Sequence, residues 1–199
     1  MEQYAQATFT ILSLINPVIC AAMFAQATEG DSQSRRIRDA TKATLAILVI
    51  LSGAALGGTR MLGAFGISLD AFQVAGGLVL VWMGFLMLRG TPSPTASDQP
   101  ADKTSSLSSL ILFGASPGTI TGVITLSVAH TRDGIPVTAL VAIAVALAWT
   151  WLLMILASRS TGQKKRGLMH DVSGRFMGLL VLAMGVQFFL AGLKEFFAG

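Results

Sequence analysis

Charge is what this sequence has least of. Only 12% of its 199 residues are Asp, Glu, Lys or Arg, where an ordinary globular domain carries roughly 25%. A soluble fold of this size needs a charged skin, and 14 basic with 10 acidic side chains make a thin one. Mean hydropathy is +0.68, and the charges are clustered, leaving apolar stretches long enough to cross a hydrocarbon layer of about 30 Å. The composition specifies an integral membrane protein whose first partner is the lipid bilayer.

Other absences narrow the function classes. The single cysteine, Cys20, lies inside an apolar run, which excludes a disulfide framework and a thiolate metal cluster. The two histidines, His130 and His170, are 40 positions apart near segment ends, an interfacial and a loop residue respectively. No metal and no cofactor are expected. There is no Gly-x-x-x-x-Gly-Lys loop, so a nucleotide-driven pump on this chain is not expected. No nucleophile triad can be assembled, so an enzyme is not expected. The net charge of +4 gathers in loops between apolar spans, the pattern of topology determinants and not of a nucleic-acid surface.

The segment Met1-Glu2-Gln3-Tyr4 has no positive n-region, and the apolar run after it has no small-residue cleavage site. The expectation is that this first apolar segment stays as a working helix. Residues 4–27 and 43–59 are free of charge, and residues 61–88 contain one ionisable side chain, Asp70. As one helix, 61–88 would reach about 42 Å, too long for one upright crossing. It is therefore divided into a short re-entrant or interfacial piece, 61–69, and a crossing helix, 70–88, capped by Ser68 or Asp70. A proline-rich cytoplasmic linker follows at 91–106. Residues 107–129, 136–157 and 176–197 complete six spans. The fold class expected is all-α, six transmembrane helices in a single domain (1–199) made of repeats 1–90 and 107–199.

Placing both termini on the non-cytoplasmic side puts Arg35, Arg36, Arg38, Lys42, Arg89, Lys103, Arg159, Lys164, Lys165, Arg166 and Arg175 in the cytoplasm, against Arg60, Arg132 and Lys194 outside. That ratio of 11 to 3 sets the orientation under the positive-inside rule. The mixed charges of Glu29, Asp31, Arg35, Arg36 and Arg38 read as a solvated loop.

The halves resemble each other. Residues 73–90 laid on 175–192 give six identities in 18 positions, including Leu78-Val79-Leu80 with Leu180-Val181-Leu182. Of six prolines, three stand in the linker and Pro136 at a helix start. The remaining two, Pro17 and Pro117, fall near the middle of the first span of each half, in Asn16-Pro17 and Ser116-Pro117. Three spans per half is odd, so the second half enters the membrane from the opposite side. Paired mid-span interruptions of this kind point to a secondary transporter's binding site; the simpler explanation of one such proline is a packing kink.

Proline lacks an N–H and clashes with the carbonyl one turn back. Pro17 frees carbonyls around Ser13 and Leu14, and Pro117 frees those around Phe113 and Gly114. Ser13, Asn16, Ser116, Thr119 and Thr121 supply polar groups at the breaks, and Gly114 and Gly118 supply backbone freedom. The half-helices after the breaks aim their N-termini at the midplane, where N–H groups and dipole favour a carboxylate. The freed carbonyls, with Asn16, suit an ammonium. The expected ligand is a small zwitterionic or neutral polar substrate, held by Ser13, Asn16, Pro17, Ser116, Pro117, Gly118, Thr119 and Thr121. Asp70 reads as an outer-side cap or a proton-coupling group, and Gln187 as interhelical glue or part of the cavity. Gly53/Gly57, Gly114/Gly118, Gly118/Gly122 and Gly174/Gly178 have the spacing of close helix packing, which serves a homo-oligomer or internal packing equally.

Leu14-Ile15-Asn16-Pro17, and the longer stretch from Phe65-Gly66-Ile67-Ser68 through Asp70 to Ala75-Gly76-Gly77-Leu78, resemble the MarC family of integral membrane proteins, also called the UPF0056 or neutral amino acid transporter family. The resemblance covers essentially the whole chain. It implies a prokaryotic inner-membrane protein, and for some members proton-linked transport of glycine- or alanine-like amino acids. This chain departs from the family's usual Gly-Pro-Gly-Ala-Ile-Thr at Ser116-Pro117-Gly118-Thr119-Ile120-Thr121, and has Gln73 where Arg is common. A carrier is the leading expectation; a passive pore and a non-transporting scaffold or partner subunit stay open.

Overall fold

The computed structural model describes residues 2–28, 30–89, 103–129, 135–159 and 168–198. These form eight α-helices: α1 (Glu2–Ile15), α2 (Pro17–Ala27), α3 (Gln33–Ala64), α4 (Leu69–Arg89), α5 (Lys103–Gly114), α6 (Pro117–Ala129), α7 (Val137–Arg159) and α8 (Leu168–Ala198). There is no strand among the described residues. Among the described residues six stretches are long and apolar enough to cross a membrane, two of them composed of α1 with α2 and of α5 with α6. The all-α class and the six spans are those expected from the sequence, and the first and fourth spans are interrupted at their prolines as expected.

Four expectations are corrected. Residues 61–69 are not a separate re-entrant piece. Positions 61–64 are the last turn of α3, which runs 32 residues. Gly66 then stops it in the left-handed conformation (φ 68°). The Ile67 N–H donates to the Leu62 carbonyl at 2.9 Å and the Gly66 N–H to that of Gly63 at 3.1 Å, the paired bonds of a Schellman ending. Ser68 caps α4, its Oγ accepting from the Ala71 N–H at 3.2 Å.

The mixed-charge segment is likewise not simply a solvated loop. From Gln33 onward it is the start of α3, and Arg36 is buried, its Nη1 donating to the carbonyl of Ser158 near the end of α7. His170, expected in a loop, belongs to α8; His130 lies outside the described residues. Of the linker, 103–106 already belong to α5, and 91–102 lie outside the described residues.

In lipid no hydrophobic force draws helices together, so close contact between backbones has to do that work. Between α4 and α8 glycines provide it. A Cβ on Gly77 would stand 2.7 Å from the Gly185 carbonyl oxygen, one on Gly84 2.7 Å from that of Gly178, and one on Gly192 2.6 Å from that of Asp70. Residue numbers rise along one helix as they fall along the other, so the pair is antiparallel. Elsewhere α7 packs along α1, α2 and α3, burying Ala139, Ala142, Ile143, Ala146 and Leu147.

Candidate functional site

Asn16 is the hinge of the first interruption. Its φ is 54°, and it is the one non-glycine residue with positive φ among the described residues. Asparagine accepts that left-handed conformation better than other side chains because it bonds locally. Its N–H donates to the Leu12 carbonyl at 3.0 Å, the single bond of a left-handed helix ending. The same residue begins α2. Its carbonyl accepts from the N–H groups of Ile19 and Cys20, each at 3.1 Å, and its Oδ1 lies 3.4 Å from the Ile19 nitrogen. The Cys20 thiol donates back to the Ile15 carbonyl at 3.3 Å. Asn16 is 1% exposed, and its Nδ2 has no partner.

The second interruption is built differently. The Ser116 N–H donates to the Phe113 carbonyl at 3.2 Å, and its own carbonyl accepts from the Ile120 N–H at 2.9 Å. Ser116 Oγ caps α6 by accepting from the Thr119 N–H at 3.3 Å, and it shares a 3.0 Å hydrogen bond with Thr119 Oγ1. Thr121 Oγ1 donates to the Pro117 carbonyl at 2.9 Å. Ser116, Thr119 and Thr121 are all buried. Here the polar side chains satisfy one another.

The two interrupted spans lie against each other. α1 packs on α6 and α2 on α5, so the spans run antiparallel with their breaks at similar height. The Leu14 side chain fills the space where a Cβ on Gly122 would stand, and Leu80 does the same at Gly118. Thr121 is pressed into Gly76 of α4. Pro17 is buried and Ser13 half-buried.

Asp70 and Gln187 do not join them. Asp70 sits in the first turn of α4, about 15 Å along the helix from Leu80. Gln187 is on the exposed side of α8. The structure instead brings Leu14, Gly76, Leu80 and Gly122 to the breaks. Their signal was faint: small residues on one helix opposite one bulky residue on another. A separate cleft of about 280 Å³ opens beyond the end of α2, lined by Thr28, Asp31, Arg35, Arg38, Asp39 and Leu107; Arg35 and Asp31 pair there at 3.4 Å.

Residues 1–197 match the family described as MarC family integral membrane protein. The chain belongs to the MarC family. Among relatives, it is 30% identical over 203 residues to an inner membrane protein MarC of Citrobacter koseri, covering 93% of this chain and 91% of that one. It is 29% identical over 201 residues to a UPF0056 membrane protein of Pyrococcus abyssi, covering 99% and 97%. An inner membrane protein MarC of Escherichia coli strain UTI89 is 29% identical over 202 residues, with 93% and 91% covered. No solved structure matches this MarC-family chain.

Proposed function

We propose that this MarC-family protein is a secondary transporter of small neutral polar metabolites, glycine- or alanine-like zwitterions above all, working by alternating access around its two broken spans. The observation that carries the reading is the buried pair of helix interruptions lying side by side. Breaking a helix within lipid leaves backbone groups that cost several kcal/mol unless something polar meets them. A protein that keeps two such breaks together holds a dry polar site that a small solute can complete. The site has no formal charge of its own, so a solute with no net charge suits it.

In this reading the protein sits in the inner membrane, as the names of its relatives say of them. Both termini face away from the cytoplasm, following the excess of Lys and Arg in the inward loops. Asp70 and Gln187 stand apart from the breaks, so the substrate is given no contact with them. The test is counterflow in proteoliposomes. A carrier loaded with unlabelled alanine accumulates labelled alanine transiently above equilibrium. A passive pore equilibrates label without overshoot, and a scaffold takes up none; either result refutes the proposal.

A further inference from the structure

The two breaks are unequal in one respect: the second is closed on itself, and the first is one acceptor short of closure. Ser116 and Thr119 spend their hydroxyls on each other and on the first turn of α6. Asn16 spends only one end of its amide. Oδ1 faces the Ile19 N–H at the start of α2, and turning the amide over would set N–H against N–H. The orientation is therefore fixed by chemistry, and Nδ2 is the end left over. It is buried and unpartnered, in a residue held at 1% exposure. A buried donor without an acceptor is costly to keep. The end of α1 and the start of α2 meet at Asn16, so their dipoles offset each other there; it is the free N–H that calls for an acceptor oxygen, and a negatively charged one meets it most strongly.

We infer that Asn16 Nδ2 is the group that binds the carboxylate of the substrate, and that the first break, not the second, is the recognising half of the site. This rests on the carrier reading above and revises its chemistry. Asn16 offers the ligand a donor, so it does not receive the ammonium. That end is left to the carbonyl of Ser13, which Pro17 deprives of its N–H one turn on. Solutes with a carboxylate bind; amines of the same size do not.

The assignment is tested by binding to the purified full chain in detergent, with labelled glycine as probe and acetate and methylamine as competitors. Acetate is expected to displace glycine and methylamine not to. Asn16→Asp keeps an oxygen to cap α2 and tolerates the left-handed backbone, but sets an anion where the donor was. It should fold normally and bind glycine at least about tenfold more weakly. Asn16→Gly keeps the backbone, removes the amide, and should lose binding likewise. Glycine bound equally by the wild type and both variants overturns the inference, as does a wild type that binds neither glycine nor acetate. Counterflow of a neutral solute without a carboxylate, together with absent glycine binding, would overturn this assignment and leave the carrier standing. Glycine binding lost in both variants, with no counterflow in the wild type, would do the reverse.

Discussion

Leu80 of α4 occupies the space that a Cβ on Gly118 would need, so the third span of the chain rests directly on the second break. The contact is with a side-chain tip, which can yield at a cost. Gly118→Val should therefore destabilise the protein by about 1–3 kcal/mol through overpacking. Adding Leu80→Ala should recover roughly half of that loss, because the two residues share one space. Thermal unfolding of the single and double variants in detergent measures the coupling.

Glycines that look alike in sequence should separate sharply. At Gly77 a Cβ would stand 2.6 Å from the backbone nitrogen of Phe189, and at Gly185 2.6 Å from that of Val81. Backbone cannot step aside, so Gly77→Ala and Gly185→Ala should pry α4 from α8 and sharply reduce the yield of monodisperse protein. Gly53 and Gly57 face open space. Alanine there should stabilise by up to about 1 kcal/mol, from helix propensity alone. Size-exclusion profiles with melting curves distinguish the two classes.

Arg36 is expected to matter more than its charged neighbours. It is buried and donates to the Ser158 carbonyl, tying the start of α3 to the end of α7. Arg36→Ala should cost about 1.5–3 kcal/mol, as for hydrogen bonds from charged groups. Arg38→Ala, on an exposed position, should stay within about 0.5 kcal/mol. Unfolding midpoints of the two variants give the comparison.

Gln187 lies on the outer side of α8. Gln187→Leu should leave both stability, within about 0.5 kcal/mol, and alanine counterflow as in the wild type. A large loss of counterflow would mean that this amide reaches the solute path.

What was legible in the sequence was legible through proline and hydropathy. Pro17 and Pro117 interrupt two otherwise uniform apolar runs, and the helices do break there. Apolar length alone also gives six crossings. What was not legible depends on partners. The α3 helix extends from Gln33 through Arg36 and Lys42, because burial of Arg36 against α7 overrides a composition that reads as loop. Its far end is set by Gly66, one glycine among 21, and only the conformation of that residue distinguishes it. The α4–α8 seam is not marked by glycines four apart: Gly77 and Gly84, like Gly178, Gly185 and Gly192, recur every seven residues. Gln187 is midway along an apolar run, and one-dimensional hydropathy does not say which side of α8 carries it.

The central claim is that the two breaks form one occluded site that opens to each side in turn. It is tested most directly by placing the only cysteine at the second break, as Ser116→Cys with Cys20→Ala, and adding a membrane-impermeant maleimide from each side of oriented vesicles. The account predicts that position 116, buried in this structure, is modified from both sides and that excess glycine slows the reaction from both. Protection of position 116 from both sides irrespective of glycine, or modification from one side only, would contradict it.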